Sequence, residues 1–232
     1  MFSRRSAFTL VELMVTLAIM ITLIAILIPS MARAKESARI AMCSANQHQL
    51  AVAWRTYAGN NRQDLVGSHT NRAHDWVKIS APVETEQHIK DGALFPYSKN
   101  VGLYLCPSDP RGYPRSYSLN NFLAGTGWGM TPITRITSIP NPARTMLMVG
   151  EADPRDWNRG SFVIGIKGGL HDGKWVDWPS SFHLDGVVHA FVDGHAENRR
   201  HEDPLTKEIV SFFTPAPNSP DLAYYQSVMH AW

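Results

Sequence analysis

FTLVELMVTLAIMITLIAILI, residues 8–28, is the stretch on which the reading of this chain turns. It runs for 21 residues with one charge, Glu12. At 1.5 Å per residue a helix of that length covers roughly 31 Å, the depth of a bilayer's hydrocarbon core. An amphipathic helix on a soluble core would carry a polar face at the helical period. Here the polar side chains are Thr9, Glu12, Thr16 and Thr22, so the segment is apolar nearly all round. The expectation is a membrane-spanning helix. An ordinary secretory signal is the rival, with Ala32-Arg33-Ala34 offering small residues for cleavage. Against it stand the length of the apolar run and the carboxylate of Glu12, which hydrocarbon tolerates only with a partner.

Working outward, residues 1–7 are short and basic, with Arg4 and Arg5. Beyond Pro29 the pattern turns amphipathic. Apolar residues fall at Met31, Ala34, Ala38, Ala41, Met42, Ala45, Leu50, Ala53, Trp54 and Tyr57, mostly three or four apart. Gly59-Asn60-Asn61 is a stop signal. One long helix is therefore expected over 8–58, transmembrane over 8–28, with its second half packing on a globular domain that occupies 59–232.

In that remainder Gly, Pro, Asn, Asp and Ser recur every few residues and apolar runs are short. Val77–Ile79, Leu103–Cys106, Ile133–Ile136, Thr145–Val149, Phe162–Ile166 and Val187–Val192 read as strands of a small antiparallel sheet with long loops. A last helix is expected after Ser219 as cap and Pro220 as first residue. The fold class is α+β.

Composition excludes more than it assigns. Apolar residues make up 44% and charged residues 18% of the 232, which is neither disordered nor collagen-like. The formal net charge is +2 and no Lys/Arg run exceeds two, so no nucleic-acid partner is predicted. There is no Gly-x-Ser-x-Gly elbow, and Gly165-Ile-Lys-Gly-Gly169 lacks phosphate-loop spacing. No enzyme is expected. Trp128, Trp157, Trp175 and Trp178 lie in Gly/Asp-rich stretches and read as core packing or as a partner surface.

Residues 182–198, FHLDGVVHAFVDGHAEN, place Asp185-Gly186 and Asp193-Gly194 on either side of a period-two strand. Asp-Gly favours a type I′ turn, so Val187–Val192 and His195–Asn198 should form a hairpin. His183 and Asp193 are placed to hydrogen-bond across its base. His183, Asp193 and His195 are the candidate ligands should a divalent metal bind; otherwise no cofactor is expected. His189 shares a strand face with Val187 and Phe191 and reads as a packed histidine.

Arg4-Arg5-Ser6-Ala7-Phe8-Thr9-Leu10-Val11-Glu12-Leu13 resembles the type IV prepilin cleavage and methylation motif. The resemblance implies a pilin-like or pseudopilin subunit, cut after Ala7 by a prepilin peptidase and methylated on the amine of Phe8. Alanine stands at Ala7 where the family usually has glycine. Pro29, the twenty-second residue from Phe8, sits where pilin helices commonly carry proline. The resemblance gives Glu12 an assembly role: it would meet the Phe8 amine of a neighbouring subunit in low dielectric. His183 followed by nine residues and Asp193-Gly194 resembles the H-X9-DG element of a large subgroup of bacterial prepilin-type proteins.

The implied partners are further copies or related subunits of a filament, the peptidase and the inner membrane. The filament would be a type II secretion pseudopilus or a type IV pilus-like fibre. The C-terminal domain would lie outside the cytoplasm. There, Cys43 and Cys106 either form a disulfide or remain buried thiols. A different class of function is an anchored or secreted binding protein whose His/Asp hairpin holds a metal or a glycan.

Overall fold

The computed structural model describes residues 8–79, 85–152, 160–208 and 211–229. The chain divides into two compact units, Met1–Ala38 and Arg39–Trp232. One helix, α1 (Leu10–Asn60), contributes to both.

In the first unit α1 begins at a reciprocal cap. The Thr9 hydroxyl accepts from the Glu12 backbone N–H at 3.2 Å, and Glu12 Oε2 accepts from the Thr9 backbone N–H at 2.9 Å. This is a capping box of the form Thr-x-x-Glu, which satisfies donors that the first turn leaves open. The large apolar side chains from Phe8 to Ile28 are exposed. The few hydroxyls among them are turned inward: Thr16 donates to Leu13 O, Thr22 to Ala18 O and Ser30 to Leu27 O. Beyond the Thr9–Glu12 pair, these hydroxyl donors return to the helix's own backbone, which lowers the cost of placing them in an apolar surrounding. By length and composition this part of α1 can cross a membrane. The helix continues through Pro29 and through Ala32-Arg33-Ala34 without interruption. The cleavage position at Ala7 lies outside the described residues.

In the second unit α1 buries Cys43, Gln47, Leu50, Ala51, Ala53, Trp54, Tyr57 and Ala58, a face whose central row, Cys43, Gln47, Leu50, Trp54 and Tyr57, steps by three and four. It ends where Asn61 Nδ2 donates to Tyr57 O and the backbone passes into positive φ at Arg62 and Gln63. Two short helices follow, α2 (Glu86–Lys90) and α3 (Phe95–Ser98).

The strands are β1 (Tyr117–Asn120), β2 (Met146–Gly150), β3 (Ser161–Phe162), β4 (Lys174–Trp175), β5 (Gly186–Phe191), β6 (Ala196–Arg200) and β7 (Thr214–Pro215). Five form one sheet in the order β3-β1-β2-β5-β6; β4 and β7 form a separate ribbon. Helix α4 (Pro204–Glu208) precedes β7, and α5 (Pro220–Met229) closes the described chain, with Ser219 Oγ accepting from Leu222 N–H at its start.

The sheet separates two cores. One face carries Tyr117, Leu119, Leu147, Met148, Val188 and Ala190 against the second half of α1. The other carries Met146, Val149, Val187 and Phe191 against Trp175, Leu222, Tyr225 and Met229. Both faces of β1, β2 and β5 are thus covered, which is why their residues are buried throughout. A register shift between Met146 and Met148 lets β2 serve both cores out of strict alternation.

Several expectations are corrected. The main sheet is mixed, because β3 pairs parallel to β1. Leu103–Cys106 is not a strand: a 3₁₀ turn covers Val101–Tyr104, opened by Asn100 Oδ1 accepting from Gly102 N–H. Val77–Ile79 forms no strand; the amides of Trp76, Lys78 and Ile79 bond to scattered carbonyls, those of Gly67, His88 and Thr70. Ile133–Ile136 supplies isolated bridges and then a turn at Ile136–Ser138. Of Phe162–Ile166, only Phe162 belongs to a strand, with one further bridge at Ile164.

Candidate functional site: a thiol–imidazole cluster where the helix meets the sheet

Cys43 comes from the buried face of α1, Cys106 from the loop before β1, and His183 from the turn before β5. Their ligand atoms all lie within 4.8 Å of one another, and all three residues are buried. Both cysteines are free thiols. His183 Nε2 is 3.1 Å from Cys106 Sγ, and the Tyr117 hydroxyl is 3.2 Å from Cys43 Sγ.

The scaffold explains how three distant residues converge. Gln47, one turn after Cys43, donates from Nε2 to Val188 O at 2.8 Å and so fastens α1 to β5. The Cys106 N–H donates to Ser116 Oγ, and Ser116 donates to Asp109 Oδ2. Arg111 then grips both oxygens of Asp109. Burial alone would raise the Asp109 carboxyl, but these Arg111 and Ser116 bonds hold it below its usual value. Cys106 is thereby set on a closed, ion-paired loop.

The two thiols are made unequal. The bond between them lowers Cys106 and raises Cys43; burial opposes the first and reinforces the second. The His183 imidazole adds to the lowering at Cys106. Cys106 thus lies between the Cys43 thiol and the His183 imidazole, surroundings that favour its thiolate form over that of Cys43.

His183 and Asp193 do not meet. His183 turns to the cysteines. Asp193 Oδ1 accepts from the His195 backbone N–H at 3.1 Å and lies 2.6 Å from His195 Nδ1. The suggested metal trio His183, Asp193 and His195 is therefore not assembled. The turns also differ from expectation. The type I′ signature falls on Leu184-Asp185, both at positive φ, with His183 and Gly186 exchanging two backbone bonds. At Asp193-Gly194 only the glycine has positive φ, +102°, and Phe191 N–H bonds His195 O, the pattern of a type I turn with a glycine bulge.

Both ends of this hairpin reach α1. At one end His183 meets the cysteine pair. At the other, Gly194 O lies 2.7 Å from His48 Nδ1, and Asp193 O accepts from Arg55.

His189 is packed, as its strand face suggests. Its Nε2 lies 2.6 Å from the Tyr224 hydroxyl and 3.1 Å from Glu197 Oε1. Burial pushes this imidazole below its ordinary value, and Glu197, bonded by His189 and Tyr224, is lowered to about 2. Trp175 and Trp178 are core residues and Trp128 is half-buried; Trp157 lies outside the described residues.

The Cys–Cys–His grouping was not foreseen as a unit. The separate signals were the two cysteines and the H-X9-DG spacing, and Cys106 and His183 are 77 positions apart.

No curated protein and no solved structure matches the chain. Residues 2–28 match the family model of the prokaryotic N-terminal methylation motif, a span that takes in the basic leader, Phe8, the capping pair and the apolar part of α1. The N-terminus thus carries the prokaryotic N-terminal methylation motif, the mark of type IV pilin-like proteins.

Proposed function

We propose that this chain is a pilin-like structural subunit. It is cut after Ala7 by a prepilin peptidase, methylated on Phe8 and assembled through α1 into a type II secretion pseudopilus or a type IV pilus-like filament. The observation that carries the reading is the methylation motif at residues 2–28 at the head of an apolar helix. That helix runs without a break into one face of a folded α+β unit. An anchor that is merely disposable has no need to be continuous with a core helix. The N-terminal segment sits in the inner membrane before assembly, and the unit from Arg39 onward lies outside the cytoplasm.

Glu12 takes the assembly role by its chemistry. A charged amine on Phe8 inside an apolar bundle requires an anion, and Glu12 is the sole carboxylate in 8–28. Nothing favours the metal- or glycan-binding hairpin as the function, since His183 and Asp193 point to different neighbours.

The test is mass spectrometry of the mature N-terminus from membranes and from sheared surface material. A chain beginning at methylated Phe8 is the expected result. A chain beginning at Lys35, after Ala32-Arg33-Ala34, would overturn the reading.

A further inference from the structure

We propose that Cys43, Cys106 and His183 ligate one thiophilic metal ion, zinc, at a buried site that locks α1 onto the sheet. Thiolate and imidazole are the donors that zinc takes in structural sites. Zinc lies about 2.3 Å from sulfur and about 2.0 Å from nitrogen, so tetrahedral ligand atoms stand roughly 3.5–3.8 Å apart. The three atoms here lie within 4.8 Å of one another, and the pair at 3.1 Å needs to open by only a few tenths of an ångström. Two thiolates cancel the charge of a divalent ion, which removes the main cost of placing it in a dry interior. The Tyr117 hydroxyl, 3.2 Å from Cys43 Sγ, offers an oxygen for the fourth position.

The surroundings suit a metal better than a disulfide. Tyr117 and His183 each direct a buried polar atom at one of the sulfurs. Joining the sulfurs to each other would remove the thiol protons that these two atoms can bond. The ligand-bearing segments are also held from behind, Cys106 by the Ser116–Asp109–Arg111 chain and Cys43 by the Gln47 tie to Val188. Supports of this kind orient metal ligands. Binding displaces the thiol protons to solvent and needs no oxidant or reductant.

The experiment uses the full-length chain in detergent, reduced and stripped with chelator. Zinc content is measured after re-addition, and cobalt(II) serves as the spectroscopic probe. The expected result is one zinc per chain, a zinc-dependent rise in melting temperature, and intense thiolate-to-cobalt charge transfer with tetrahedral d–d bands. Cys106→Ser should lose most of the charge transfer. His183→Gln should keep part of it and weaken affinity by more than about tenfold. Circular dichroism of the metal-free variants shows whether each has folded. Should a variant fail to fold, the wild-type cobalt spectrum and melting shift still decide. A reduced wild-type chain with no charge transfer and the same melting temperature with or without zinc overturns the proposal. So does a chain isolated with a Cys43–Cys106 disulfide that takes up no cobalt after reduction.

Discussion

Thr9 and Glu12 hold each other at the start of α1: the Thr9 hydroxyl donates to Glu12 Oε2 at 2.7 Å while accepting from the Glu12 backbone N–H. The same carboxylate that the filament reading assigns to a neighbouring subunit therefore has a task within its own chain. The two tasks need different things from the side chain. Capping needs an acceptor at the third helical position, which glutamine also supplies. Neutralising a charged amine needs a negative charge.

Glu12→Gln separates them. In the detergent-solubilised monomer, helix content and melting temperature should stay at the wild-type level, whereas the sheared-filament fraction should be lost. Thr9→Ala should instead cost the monomer about 1 kcal/mol of helix stability through the missing cap. Wild-type filament yield from Glu12→Gln would remove the assembly role from this residue.

Gly194 is fixed by conformation rather than by space. Its φ is +102°, yet the nearest atoms to an added Cβ are those of the His48 ring, at 3.7 Å and beyond. Gly194→Ala should thus destabilise the unit by about 1–3 kcal/mol through backbone strain alone. Gly194→Asn should recover part of the loss, because asparagine tolerates positive φ better. Urea denaturation followed by tryptophan fluorescence reads both. An alanine variant as stable as wild type would show that the turn relaxes to another form without losing its bond to His48.

Trp54 is 1% exposed in the core between α1 and the sheet, and its indole N–H has no hydrogen-bond partner among the described residues. Truncation to alanine should cost about 3–5 kcal/mol by leaving a cavity. Trp54→Phe should cost much less, since it also removes a buried donor that is unsatisfied. Equal losses for the two variants, measured by the same denaturation, would mean that the surrounding core cannot relax around a smaller ring.

What was legible in the sequence was local. The apolar run, the helix stop at Gly59-Asn60-Asn61 and the strands at Met146–Gly150 and Gly186–Phe191 rest on contiguous patterns whose meaning does not depend on distant residues. Tyr117–Asn120 escaped because Ser118 and Asn120 read as loop residues. They are buried all the same, and Asn120 Nδ2 is satisfied there by Met146 O and Met229 O. Leu103–Cys106 misled in the other direction: it is apolar because it is buried, while Asn100 and Pro107 bound it as a turn. The thiol–imidazole cluster was legible only in pieces, because it forms where three segments remote in sequence are brought together by the packing of α1 on the sheet.

Acid should destabilise the unit from Arg39 onward in two stages, and the buried histidines set the first. His189 and His201 are both lowered from 6.5, burial being the main cause. His189 faces Glu197, which favours its protonation, and Arg199 and His195, which oppose it; His201 faces Asp221 on one side and Lys207 and Arg199 on the other. Above 6.5 each imidazole is neutral in the folded and unfolded chain alike, so stability does not change with pH on their account. Below 6.5 the unfolded chain takes up protons that the folded one refuses. Stability then falls with pH, by up to about 1.4 kcal/mol per pH unit for each histidine, until the lowered folded value is reached. Glu197, lowered from 4.5 to about 2, sets a later stage: its contribution is present above 4.5 and fades as pH falls toward about 2. Melting curves of the detergent-solubilised chain between about pH 7.5 and about pH 5 isolate the first stage. His201→Gln, which keeps a donor for Ser180 O, should flatten the slope there by up to the share of one histidine. An unchanged slope in both His201→Gln and His189→Gln would assign the acid sensitivity to other groups.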